Sequence, residues 1–234
     1  MSETSKYFQN VQGNNLSETQ KAGLLIGLIL SEQHHFAKDC LETGWPEKKA
    51  AAFLEEVYLS KKKTTAYGLL NFIRDEGERT VYNIILPHLL STNDREKRKT
   101  LLRENYMSID LFLKYCDNFS DCELLLNEEN LLTIDEKDLK KGILAWDMAK
   151  LVSIARLSFD AKLISEKDAW AYIENGCIQC REMFSNWEEV AKSFVIGAAI
   201  EKGLNETFTI TLNYIADALK GKESLWKQIA LKPR

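Results

Sequence analysis

The sequence predicts an all-α fold: a compact multi-helix domain closed around one buried central helix at about 143–157. Three observations predict it. Proline and glycine are scarce, 3 and 11 in 234 residues, so the chain lacks the turn punctuation of a β-rich protein. Leu, Ala, Lys and Glu, which lose little side-chain entropy in a helix, dominate instead, and apolar residues recur at helical spacing. Finally, Lys141 to Asp160 is apolar on nearly every side, through Ile143, Leu144, Trp146, Met148, Leu151, Val152, Ile154 and Leu157. A helix of that kind has to be surrounded by protein.

Residues 1–15 are polar and Asn-rich and are expected to form a flexible lead-in to a single all-α domain over 16–230. Ser17-Glu18-Thr19-Gln20 reads as a capping box, in which the serine oxygen accepts the backbone N–H three residues on and Gln20 reaches back. The helix it opens runs through Leu24, Leu25, Leu28 and Ile29 toward Cys40. Gly44-Trp45-Pro46 ends that element and begins the next, which carries Ala50, Phe53, Leu54, Val57 and Tyr58. A further helix is expected around Tyr67 to Asp75, and Tyr82 to Leu90 reads as a buried helix with a short strand as the alternative.

Arg98 to Tyr115 is amphipathic, and Asp117-Asn118-Phe119-Ser120 is expected to break it before a short helix near Cys122 to Leu126 and an acidic connector over 127–138. Beyond the central helix, Ser165-Glu166-Lys167-Asp168 and Asn186-Trp187-Glu188-Glu189 each cap a new helix, and Gly197, Ala198 and Ala199 permit close packing of the second. Asn205 starts a last long helix, after which Trp226 packs a terminal turn.

Hydrophobic residues make up 45% of the chain and charged residues 28%, enough apolar material for a sizeable core. The net charge of -4 and the absence of a strongly basic face argue against a nucleic-acid partner; Lys61-Lys62-Lys63 and the 95–99 run read as solvated helix ends or helix faces. The apolar run Ala22 to Leu30 is too short to span a bilayer, which needs about 20 residues, so no membrane partner is expected. Five cysteines, an odd number without an export signal, fit reduced thiols and a cytoplasmic location.

One resemblance emerges from these residues. Leu144-Ala145-Trp146-Asp147, Ala155-Arg156, Leu163-Ile164-Ser165, Ala169-Trp170 and Trp187-Glu188-Glu189 with Ser193-Phe194 and Gly197 fall in an order that resembles the bacterial domain-of-unknown-function family 1266, which includes the YbeU and YbeR proteins. Upstream, Gly44-Trp45 and Gly77-Glu78-Arg79 are similar to its N-terminal half, so the likeness spans about 40–202. The chain departs from the family pattern at Lys150, Lys162, Asn186 and Ala198, where arginine, glycine, serine and arginine are frequent. The resemblance implies a bacterial cytoplasmic α-helical protein and carries no activity with it.

Candidate functional residues lie on the central helix and on two tryptophans. Asp147, Lys150, Ser153, Arg156 and Asp160 follow at three- and four-residue spacing, which lets neighbours meet on one helix face. As a solvated face or a buried register-fixing set they are structural; lining a pocket, Asp147 could serve as a general base or orient Arg156 toward an anion. Trp170 and Trp187 sit near helix starts, where they anchor loop junctions or, exposed, concentrate binding energy. Cys177 and Cys180 supply at most half of a tetrahedral zinc site, and His34-His35 point about 100° apart on a helix, so neither a metal nor a cofactor is expected. No hydrolase, kinase or dinucleotide motif occurs. The expected function is a protein-binding or regulatory helical module with a protein partner, of basic charge in the concrete case of a toxin neutraliser of the immunity type. The alternative is an enzyme or toxic effector using Asp147 and Arg156. Small-ligand sensing in the helical core is a third option.

Overall fold

A computed structural model describes residues 15–106, 109–129 and 132–232. Its elements are α1 (Glu18–Ile26), α2 (Leu28–His34), α3 (Glu47–Tyr58), α4 (Lys63–Asp75), α5 (Arg79–Ser91), α6 (Arg95–Tyr106), α7 (Asp110–Glu129), α8 (Glu136–Lys141), α9 (Leu144–Asp160), α10 (Glu166–Met183), α11 (Trp187–Lys202), α12 (Glu206–Lys220) and α13 (Leu225–Gln228). No strand occurs among the described residues. The fold is all-α, as the apolar periodicity and the scarcity of Gly and Pro predict.

The central helix is where the sequence places it. Every residue of α9 except Phe159 is buried, and α1, α2, α3, α4, α10 and α11 pack around it. Small residues allow the closest approaches: Gly197 of α11 lies directly under the Trp146 side chain, so that any added Cβ would overlap the indole. One hydrophobic cluster extends from Leu24 to Leu231 around this axis.

The capping signals hold in detail. Ser17 Oγ accepts the Gln20 N–H at 3.1 Å while the Gln20 side chain accepts the Ser17 N–H at 3.0 Å. Ser165, Asn186 and Asn205 each accept the N–H three residues on, opening α10, α11 and α12. Pro46 precedes the first turn of α3 in an extended conformation. Residues 82–90 are helical, with Pro87 inside α5.

Four expectations fail. Arg98, read with the 95–99 run as solvated, is buried and donates to the Thr92 and Leu89 carbonyls and to Ser120. The helix opened at Ser17 is divided at Gly27 into α1 and α2 and stops at His34; His35 takes a left-handed conformation, φ 56°, and an irregular segment follows. Asp117-Asn118-Phe119-Ser120 breaks nothing and lies inside the 20-residue α7. Asp117 and Asn118 have tertiary partners and so do not compete for the helix backbone, while Ser120 bonds back one turn in a way the helix accommodates. Asp117 pairs with Arg95 at 2.7 Å, Asn118 donates to the Ile200 carbonyl at 2.8 Å and Ser120 bonds back to Cys116, while Phe119 fills the core. The real division comes earlier, between Tyr106 and Asp110, with residues 107–108 outside the described set. The end of the acidic connector is helical too, because Asp135 and Asp138 form a capping box for α8. Of the lead-in expected over residues 1–15, residues 1–14 lie outside the described residues.

Candidate functional site

The stripe predicted on the central helix is buried, and its members turn to different neighbours. Asp147 Oδ1 accepts the Glu78 N–H at 3.0 Å; its Oδ2 accepts the Arg79 N–H at 3.1 Å and the Arg79 guanidinium at 2.9 Å. The carboxylate therefore caps the start of α5 from another helix, where the exposed amides and the helix dipole favour negative charge. Gly77 permits this, with φ +63° and no Cβ to strike the Asp147 carboxylate. Burial pushes the Asp147 carboxyl above the usual range, against the pull of Arg79 and the two amides.

Arg156 lies about 13.5 Å further along the helix, at 1.5 Å per residue, and shares no site with Asp147. It is fully buried and donates to the carbonyls of Leu41, Ala37 and Glu42 and to Ser31 Oγ, at 2.5 to 3.1 Å. Burial lowers its pKa to about 10, which leaves it charged at neutral pH. Asp160 fixes the same irregular segment by accepting the N–H and hydroxyl of Thr43. Both act as clasps on the chain between α2 and α3.

Lys150 is different, because it faces a cavity. It bonds Glu201 at 2.6 Å and lies 3.8 Å from Glu78, whose other oxygen takes the Tyr115 hydroxyl at 2.7 Å. Trp146 Nε1 donates to the same Glu201 oxygen at 2.8 Å, and Lys202 closes on its second oxygen at 2.6 Å. Burial of Glu201 opposes its ionisation, but the Lys150 and Lys202 ammonium groups prevail and hold its pKa down at about 2.

The cavity has a volume of about 240 Å³ and lies between α2, α3, α9, α11 and α12. Its walls are apolar and aromatic, built from Leu30, Phe53, Ile154, Leu157 and Phe208, with Trp146 and Tyr58 at the polar end beside Lys150. Val57, Lys202, Asn205 and Thr207 form an exposed rim. Among the described residues, two buried side-chain oxygens have no hydrogen-bond partner, Ser153 Oγ and Ser158 Oγ, and of these Ser153 lines the cavity. His34 also lines it; burial lowers its pKa and favours the neutral ring.

Trp170 and Trp187 lie elsewhere. Trp187 is buried, stacked on Trp226 with ring centroids 5.2 Å apart, and donates to the Ile229 carbonyl at 2.8 Å. Trp170 is half-buried against the core. Cys177 and Cys180 both face the interior, and burial pushes the Cys177 thiol up to about 11, far from a reactive thiolate. Among the described residues no group of three or more His, Cys, Asp or Glu converges in a metal-holding geometry. No helix among them is long and apolar enough to cross a membrane.

Residues 54–231, from α3 through α13, match the family described as "Protein of unknown function (DUF1266)". The chain belongs to that family. The match takes in both the polar clasps of α9 and most of the cavity wall, leaving Leu30, Gln33, His34 and Phe53 upstream of it. No curated protein and no solved structure matches the chain.

Sequence reasoning reached Lys150 and Ser153 but missed Glu201, Tyr58 and the aromatic walls. Glu201 carried one readable signal, as a carboxylate directly after the apolar run Phe194–Ile200. Since its folded pKa is depressed, Glu201 stabilises the fold fully above its ordinary value near 4.5, and this contribution is lost as pH falls toward 2. Glu201→Gln is expected to lower stability at pH 7 and to flatten the loss between pH 5 and 2, read from urea midpoints across that range. An unchanged acid slope would show that the Lys150–Glu201 pair contributes nothing.

Proposed function

We propose that this DUF1266 chain is a regulatory binding module that takes a small, largely apolar molecule into the cavity between α2, α3, α9, α11 and α12. The observation that carries this reading is the cavity itself, a space of about 240 Å³ walled by apolar and aromatic side chains with convergent polar groups at one end. Protein interiors hold few voids larger than a water molecule, and preformed pockets of this make-up are the usual place for small ligands. An enzyme built on Asp147 and Arg156 draws no support from their placement, because each is consumed in holding a different segment. Five cysteines without a disulfide are in keeping with a reducing, cytoplasmic setting.

Propylbenzene in excess is expected to raise the melting temperature by several degrees, as binding to the native state alone requires. Ala198→Leu, which fills the cavity from α11, is expected to raise the melting temperature of the free protein and to abolish the response. A wild-type protein whose melting is unmoved by propylbenzene and by para-propylphenol would contradict this reading.

A protein partner is the second reading, and Leu59 favours it. This residue is 82% exposed and held in the left-handed region at φ 53°, two positions beyond Val57 on the cavity rim. A bulky exposed side chain in a conformation that suits glycine is an outlier that points to use. The chain's net charge of -4 would draw a basic partner, such as a bacterial toxin neutralised by an immunity-type protein. Leu59→Gly is expected to melt no lower than wild type yet to lose a partner that wild type retains in stoichiometric pull-down. A lower melting temperature with unchanged retention would assign Leu59 to packing.

A further inference from the structure

The polar end of the cavity also constrains the chemistry of its occupant, and the inference that follows rests on the small-molecule reading above. Two ammonium groups, Lys150 and Lys202, line the cavity, and two carboxylates outside the lining lie against them: Glu201 at 2.6 Å from both and Glu78 at 3.8 Å from Lys150. Their charges cancel. Burial keeps the Tyr58 hydroxyl protonated and His34 neutral, so neither adds charge at pH 7. A charged occupant would give up its hydration without finding a free countercharge, a cost of several kcal/mol per ion in a protein interior. A neutral one incurs no such cost.

Among the buried side-chain oxygens of the lining, one lacks a partner. Ser153 lines the cavity with a buried hydroxyl that has no partner among the described residues, and a hydroxyl both donates and accepts. It stands one helical turn from Lys150, which fixes the polar end of any occupant near these two residues. Elsewhere Phe53, Phe208, Leu30, Ile154 and Leu157 offer faces and edges of rings and alkyl groups. Size sets the last limit. An engineered apolar cavity of about 150 Å³ accepts benzene, and the same ratio gives about ten non-hydrogen atoms here.

We infer that the cavity takes an uncharged, ring-bearing molecule of about ten non-hydrogen atoms with a single hydroxyl or carbonyl group, which hydrogen-bonds to Ser153.

Three probes of similar size test this on the full chain at pH 7: para-propylphenol, propylbenzene and para-ethylbenzoate, titrated by calorimetry. The phenol is expected to bind about tenfold more tightly than propylbenzene, the equivalent of one well-made hydrogen bond, and the benzoate anion to bind weakest. Ser153→Ala supplies the second readout. Removing a buried hydroxyl that lacks a partner raises the melting temperature of the free protein, whereas removing one that holds the fold together lowers it. The same substitution is expected to erase the preference for the phenol over propylbenzene and to leave propylbenzene affinity unchanged. If propylbenzene and the phenol bind equally, or the benzoate binds best, this inference fails while the cavity remains a ligand site. If none of the three binds, the inference and the small-molecule reading fall together. A Ser153→Ala variant that melts lower and keeps the phenol preference would also overturn the assignment of Ser153.

Discussion

The fold depends on one constraint: α9 carries Asp147, Lys150, Arg156 and Asp160 into the interior, and each ionised group there has to find a partner. Taking a charge out of water costs several kcal/mol, and breaking a buried pair by removing one member typically costs about 3–5 kcal/mol. The partners come from other parts of the chain. Asp147 fixes the start of α5, Lys150 ties α9 to α11 through Glu201, and Arg156 and Asp160 hold the irregular segment between α2 and α3. A helix that is apolar almost all round can otherwise rotate or slide at little cost, since one hydrophobic contact replaces another. Directional polar contacts at four levels along its axis remove that freedom.

The cavity follows from the same arrangement. The polar edge of α9 runs through Lys150, Ser153 and Arg156 at successive three-residue steps, and the middle member is the one without a partner. At that level the neighbouring helices stand apart. Ala198 on the facing side of α11 is too small to fill the gap, and Phe53, Phe208 and Leu30 close the walls without reaching the centre. Lys150 and Glu201 neutralise each other at one end of this space. The unfilled position therefore lies beside the Lys150–Glu201 pair that ties α9 to α11.

Much of the architecture was legible in the sequence because the signals were local. A Ser or Asn accepting the N–H three residues on defines a helix start whatever surrounds it, so Ser17, Ser165, Asn186 and Asn205 identified their own helices. The apolar character of Leu144 to Leu157 on nearly every side required burial, even with a polar stripe among them. The 117–120 stretch misled for the opposite reason. Asp, Asn and Ser favour breaks when their side chains compete for nearby backbone; here Ser120 gives its hydroxyl proton to the Cys116 carbonyl within the helix, and the outside partners of the stretch are Arg95, the Ile200 carbonyl and Arg98. Those partners lie roughly 20 to 80 residues away, beyond the reach of any local pattern. The same distance hid the candidate site. Spacing on α9 put Asp147 and Arg156 on one stripe, but burial on all sides lets each face a different neighbour. The cavity residues come from five helices, and singly most of them are indistinguishable from core. Lys162 is a smaller case: it takes φ 58° after α9, at a position where the family resemblance carries glycine.

The buried charges of α9 hold the surrounding elements in place, and urea unfolding of Asp147→Ala and Arg156→Ala, followed by circular dichroism, puts this to the test. Each variant is expected to lose about 3 kcal/mol or more relative to wild type, or to fail to fold. Two variants that unfold at the wild-type urea midpoint would contradict it.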